Sequence, residues 1–192
     1  MVSGAAVPPN IDPHEEAQII AVESTDSLLP DPKLTDKIQA DVALIRQQYD
    51  SVKNVRNQGR KLLGKVSVSN YTPKVLEKIN KSQFGPASLQ SADDKDNRAT
   101  VIEFSKPYNP DVLSSELRKL GVTADPIWRS NGLDFGDIEY KSETDEYEFR
   151  QGLENCKPNC TENHFWVFHI TNGKAEITGE HATDIPEERV QY

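Results

Sequence analysis

The stretch Leu62-Leu-Gly-Lys-Val-Ser-Val-Ser-Asn-Tyr-Thr-Pro-Lys-Val-Leu-Glu-Lys-Ile79 decides the fold of the middle of the chain. Val66 and Val68 alternate with polar residues, a pattern typical of a half-buried strand. Thr72 then offers a capping residue, and Pro73 stands at the first helical position, where its missing N–H costs nothing. The stretch therefore predicts a strand followed by a helix.

The same signals recur in the next fifty residues. Ala87–Gln90 and Ala99–Phe104 have strand character and are separated by a hydrophilic turn, while Asn109-Pro110 repeats the capping residue and proline before a second helix. Val122–Trp128 is typical of a closing strand. Residues 62–129 are thus predicted to have the element order β-α-β-β-α-β. This is the order of the ferredoxin-like motif, in which two helices cover one face of a four-stranded antiparallel sheet. The other sheet face would then remain available, and the strands expected after residue 130 either extend the sheet or cover this face.

The flanking segments complete a predicted α+β fold. Residues 1–34 are rich in proline and acids and predict a largely flexible N-terminal arm. A helical pattern over 36–49 follows the capping residue Thr35, so a helix precedes the ferredoxin-like core. Residues 130–183 have the pattern of an antiparallel β extension. We therefore expect one domain over 35–183, and its acidic tail is the segment 184–192.

The composition limits the classes of partner that the protein is expected to bind. Of 192 residues, 31 are acidic and 22 are basic, which gives a net charge of −9. Nucleic-acid binding normally needs a basic surface, so we expect no nucleic-acid partner. No run approaches the roughly 18 apolar residues of a membrane span, and the opening ten residues lack the pattern of a signal peptide.

The two cysteines stand one short loop before the most aromatic segment. Cys156-Lys-Pro-Asn-Cys160 is followed by His164, Trp166 and Phe168. The spacing is not the Cys-x-x-Cys of thioredoxin-like redox centres. In an oxidising compartment the two neighbouring thiols would form a disulfide, whereas a cytosolic chain would keep them free. So short a loop stabilises less than the usual ~2–4 kcal/mol, so the disulfide is expected to fix local shape.

The chain shows no catalytic or metal-binding signature. A structural zinc site needs four ligands, but His164 and His169 differ by an odd number along a strand and point to opposite faces. Neither a Gly-x-Ser-x-Gly elbow nor a glycine-rich phosphate loop occurs. We therefore expect no metal, no cofactor and no catalysis, and we expect Trp166 and Phe168 to face the core.

Two stretches resemble known proteins. Ile45-Arg-Gln-Gln-Tyr49, with Val52-x-x-Val-Arg56 after it, and Glu154-Asn-Cys-Lys-Pro-Asn-Cys160, with His164-x-Trp-x-Phe168 after it, resemble a group of secreted bacterial proteins of unknown function. That group carries Gly-Asp before the first cysteine and Gly before the second, where this chain has Glu154-Asn155 and Asn159. Residues 62–128 are similar in element order to the prodomains and small inhibitors of subtilisin-like proteases.

These resemblances imply a secreted or periplasmic protein, whose signal peptide is expected to be absent from this chain. The function they favour is non-catalytic binding, in the manner of a protease inhibitor or prodomain, with a protease or another protein as partner. The alternative is a small enzyme or ligand-binding protein that uses a pocket near the Cys156–Cys160 loop, with His164 as its polar centre.

Overall fold

The computed structural model describes residues 11–57, 61–69, 71–90, 100–128, 136–152 and 162–184. Four helices and two four-stranded antiparallel sheets lie in these ranges, so the predicted mixed α+β class is confirmed. The elements are α1 Pro13–Thr25, α2 Pro32–Gln48, β1 Lys61–Val68, α3 Pro73–Asn80, β2 Ala87–Gln90, β3 Thr100–Phe104, α4 Pro110–Lys119, β4 Ala124–Trp128, β5 Gly136–Lys141, β6 Glu146–Gly152, β7 Glu162–Thr171 and β8 Lys174–Asp184.

The chain divides into two compact units rather than the single domain expected over 35–183. Unit 1 comprises Met1–Ser24, Pro32–Gln58 and Asn131–Tyr192, and unit 2 comprises Thr25–Asp31 and Gly59–Ser130. Unit 1 therefore holds α1, α2 and the sheet β5–β8, while unit 2 holds α3, α4 and the sheet β1–β4. The expected arm is shared between the two units.

Unit 2 is built on an antiparallel sheet with the strand order β2-β3-β1-β4. Val66 in β1 pairs with Ile102 in β3, and both side chains are fully buried. They belong to one core cluster with Ile79 of α3 and Leu113 of α4. Because cross-strand partners share a sheet face, both helices lie over the face that carries Val66 and Ile102.

Unit 1 is built on a meander with the strand order β5-β6-β7-β8. Its β7–β8 hairpin turns at Asn172 and Gly173, which have φ values of 52° and 73°, and Asn-Gly is a preferred sequence for a two-residue hairpin turn. Buried Ile38 and Ile45 of α2 belong to one core cluster with Phe149 on β6 and aromatic residues of β7. The two N-terminal helices thus cover one face of this sheet.

The prediction of a largely flexible arm over residues 1–34 was wrong for Pro13–Thr25, which form α1. Ile19, Ile20 and Val22 on this helix are buried. Asp12 caps the helix, since its Oδ1 accepts hydrogen bonds from the backbone N–H of His14 at 2.9 Å and of Glu15 at 3.1 Å. The proline that suggested a linker is therefore the first residue of a helix.

Candidate functional site

The motif that the sequence singled out lies partly on β7. Cys156 and Cys160 lie outside the described residues, so their disulfide stays a prediction. Trp166 and Phe168 are buried against the helices of unit 1, with 7% and 0% of their surface exposed. Phe168 makes an edge-on contact with Phe149, with ring centroids 5.4 Å apart. The predicted inward orientation of both β7 aromatics is confirmed, and their packing is that of a core.

His164 is the half-buried polar member of the motif. Its ring stacks on Trp166 with centroids 4.1 Å apart and an interplanar angle of 14°. Its Nε2 lies 2.9 Å from Oε1 of Glu180 on β8. The stacking contact holds one face of the ring, and the contact with Glu180 holds its Nε2 edge. His169 lies at an odd spacing on the same strand and pairs in register with Glu146 and Glu176, away from the His164 position.

Among the residues that the structure describes, no group of three His, Cys, Asp or Glu side chains is arranged to hold a metal ion. The described geometry thus gives this corner of unit 1 one half-buried imidazole and one exposed carboxylate for contacts with a small molecule.

A second polar group in unit 1 was missed by the sequence analysis. It consists of Lys37, Asp41, Tyr140, Asp145 and Tyr147, which we call the Lys37 cluster. Nζ of Lys37 lies 2.8 Å from Asp41 and 2.6 Å from Asp145. The Tyr147 hydroxyl donates to Asp41 at 2.7 Å, and the Tyr140 hydroxyl donates to Asp145 at 2.8 Å. The cluster links α2 to the β5–β6 hairpin.

The electrostatics of the Lys37 cluster oppose catalysis. Burial, together with the hydrogen bond to Asp41, raises the pKa of Tyr147 well above its usual value. Burial also raises the pKa of Tyr140. Burial by itself lowers the pKa of Lys37, but the hydrogen bonds to Asp145 and Asp41 outweigh it and raise the pKa. Neutral phenols and a charged lysine are the protonation states of a structural network, since a general base needs a pKa near the working pH.

The surface of unit 2 best suited to a protein partner is the face of its sheet opposite the helices, which we call the open sheet face. Val101 and Ile127 lie on it and are half-buried. Between them Nζ of Lys65 lies 3.1 Å from Oε1 of Glu103, and Gln90 donates to the same carboxylate. Apolar side chains beside a paired charge resemble the mixed composition of non-obligate protein interfaces.

Comparison of the chain with protein-family models, with curated proteins and with solved structures found no match. In the part of the chain that the structure describes, no helix is long and apolar enough to cross a membrane.

Proposed function

We propose that the protein is a non-catalytic, secreted or periplasmic binding protein, and that unit 2 is a ferredoxin-like module that recognises a partner protein. The observation that carries the proposal is the open sheet face, with half-buried Val101 and Ile127 on either side of the Lys65–Glu103 pair. The strand order β2-β3-β1-β4 and one helix after each of β1 and β3 support the ferredoxin-like assignment.

The partner that this geometry suits is a protease, approached as an inhibitor or prodomain approaches it. A sheet face offers a broad surface of fixed shape, and an edge strand such as β4 can accept an extended segment of the partner through main-chain hydrogen bonds. The choice of a protease as the partner rests on fold analogy. The motif of His164, Trp166 and Phe168 supports membership in the group of secreted bacterial proteins with the same signature.

The proposal is tested by titrating the protein into a panel of proteases that includes subtilisin-like enzymes and measuring residual activity. Inhibition of at least one enzyme is expected. Val101→Lys and Ile127→Lys should each raise the inhibition constant by about tenfold or more, since each buries a charge in the interface. No inhibition across the panel removes the protease as partner.

The chain offers a matched control for these variants. Leu89 on β2 is 48% exposed, and it pairs in register with Ile102, so it lies on the sheet face that the helices cover. Leu89→Lys therefore adds the same charge to the same sheet on its other side. It should leave inhibition unchanged. Equal loss of inhibition in all three variants would show that the open sheet face is not the contact surface.

The compartment has a separate test. A protein from an oxidising compartment should have Cys156 and Cys160 joined, so thiol counting in denatured, non-reduced protein should find no free thiol. Two free thiols in air-exposed material would contradict the proposed secretion.

A second function, ligand binding at His164, is favoured by one specific observation. The ring is held between Trp166 and Glu180 while the side chain keeps 27% of its surface exposed. Screening with small aromatic and cationic molecules should then show binding that His164→Ala abolishes without loss of folding. A variant that only unfolds at lower temperature would identify the stack as structural.

A further inference from the structure

A groove runs along the outer side of α3 in unit 2 and reaches the end of α4. Its volume is about 500 Å³. We call it the lysine groove, and its lining residues are Lys74, Glu77, Lys78, Lys81, Ser82 and Leu120. Three lysines and one acid thus line the groove together with one apolar side chain, in a chain whose net charge is −9.

Among the residues that the structure describes, two of the three lysines have no acidic partner and are available to a ligand. Lys81 pairs with Glu77 at 2.5 Å, whereas Lys74 and Lys78 form no ion pair within the described ranges of the chain. Helix electrostatics also fail to explain Lys74. It is the second residue of α3, where the partial positive charge of the helix N-terminus disfavours a cation.

The spacing of the lysines selects the shape of the ligand. With a rise of ~1.5 Å per residue, Lys74 and Lys78 are about 6 Å apart along α3, and Lys81 is about 4.5 Å further on. Alternate side chains of an extended peptide are about 6.6 Å apart on one side of the strand. A row of cations at this spacing matches alternate carboxylates of an extended chain.

A compact anion fits the groove less well. Phosphate groups are bound best where several backbone N–H groups converge at a helix N-terminus. The lysine groove instead runs from Lys74 in the first turn of α3 to Lys81 after its last turn and to Leu120, the C-terminal cap of α4, so a single phosphate at the helix N-terminus would fill only one end of it. The ligand chemistry that the groove favours is therefore distributed negative charge on a linear backbone.

We propose that the lysine groove binds an extended acidic segment of a partner protein. Alternate Asp or Glu carboxylates contact Lys74 and Lys78, and an apolar side chain of the segment packs on Leu120. The groove belongs to the helical side of unit 2 and the open sheet face to its other side. Binding at the groove is therefore independent of the proposed contact with a protease.

The test uses the full-length protein and a fluorescein-labelled octapeptide that alternates Glu and Thr and carries one central Leu, followed by fluorescence anisotropy. Binding is expected at low ionic strength. It should weaken at least tenfold in ~0.3 M salt, because exposed charges are screened. A peptide with Gln in place of Glu should not bind.

Matched variants locate the binding site. Lys74→Gln combined with Lys78→Gln should weaken binding at least tenfold, with circular dichroism unchanged. Lys53→Gln combined with Lys106→Gln removes the same charge from exposed positions that do not line the groove and should have little effect. Equal affinities for both double variants would overturn the proposal. So would displacement of the peptide by inorganic phosphate beyond the effect of chloride at equal ionic strength, since that result identifies a compact phosphate site.

Discussion

Arg46 on α2 holds Glu16 on α1 through two parallel hydrogen bonds, Nη1 to Oε2 at 2.7 Å and Nη2 to Oε1 at 2.8 Å. Only 2% of the Glu16 side chain is exposed. The same carboxylate accepts the backbone N–H of Asn57 at 2.7 Å, and Arg46 also donates to the carbonyl of Val55. This buried pair thus joins both N-terminal helices and the segment that follows them.

Glu16→Gln keeps the shape of the side chain and removes its charge, so Arg46 is left buried without a counterion. Loss of one partner of a buried pair typically costs ~3–5 kcal/mol, and we expect about 3 kcal/mol because the amide oxygen still accepts one bond. Hydrogen exchange of peptides from β6 and β7 measures this loss in unit 1. Asp50→Asn breaks the exposed pair with Lys53 and should cost under about 1 kcal/mol. Equal losses of stability in the two variants would show that burial of the Glu16–Arg46 pair does not increase its contribution.

The helix starts carry a clear local signal in the sequence, although only two of the four were predicted from it. All four described helices begin at a proline that follows Asp, Thr or Asn. The pairs are Asp12-Pro13, Asp31-Pro32, Thr72-Pro73 and Asn109-Pro110. The last two were recognised, and the Asn109 side chain accepts the N–H of Asp111 as a cap should. Many acids surround the first two prolines, so the sequence predicted a linker there instead of helix starts.

The Lys37 cluster could not have been predicted from spacing. Lys37 and Asp145 are separated by 108 positions, and only the docking of α2 on the β5–β6 hairpin brings them together. Strand alternation predicted which face Trp166 takes, because that depends on local geometry alone. A partnership between distant polar residues depends on the packed fold instead.

Alkaline pH should destabilise unit 1 through the Lys37 cluster. The pKa values of Lys37, Tyr140 and Tyr147 are all raised in the folded state, so the unfolded chain releases these protons first. Their contribution to stability is therefore complete below the ordinary values near pH 10 and is lost as the pH rises through the folded values. Urea midpoints of unit 1 should fall steadily above about pH 10.

Tyr147→Phe tests this linkage directly. The variant should lose about 1 kcal/mol at neutral pH, since Asp41 loses a hydrogen bond. Its stability should then decline less steeply with pH, by up to about 1.4 kcal/mol per pH unit, because one titrating proton is gone. Tyr71→Phe removes a phenol from unit 2 and should leave the slope for unit 1 unchanged. If the stability of unit 1 declines equally steeply with pH in wild type and in Tyr147→Phe, Tyr147 does not contribute to the alkaline destabilisation.

Among the described glycines of unit 2, Gly64 on β1 should be the least tolerant of a side chain. Its φ is +66°, and a Cβ would lie 2.5 Å from the backbone oxygen of Lys106. Gly64→Ala therefore combines the left-handed strain of ~1–2 kcal/mol with a backbone clash, and we expect a loss of more than ~2 kcal/mol. Gly173→Ala has a similar φ of +73° with no atom within 4 Å, so it measures the strain alone. Hydrogen exchange of peptides from β1–β3 and from β7–β8 measures the loss of stability in each variant. Equal losses would show that the clash at Gly64 adds nothing to the backbone strain.

The outer edge of β8 is protected at one residue by side chains from the end of α2. The N–H of Ala175 donates to Oε1 of Gln48 at 3.0 Å, and its carbonyl accepts the hydroxyl of Tyr49 at 2.9 Å. An edge strand with free backbone groups is a template for pairing with another chain.

Gln48→Ala combined with Tyr49→Phe removes both bonds while it keeps the ring that packs on Phe168 at 5.0 Å. We expect concentration-dependent self-association, measured by sedimentation velocity. Gln47→Ala, one residue earlier on α2, is the control and should behave as wild type. Should the double variant sediment as wild type at every concentration, the two side chains stabilise Ala175 without protecting the edge of β8 from pairing.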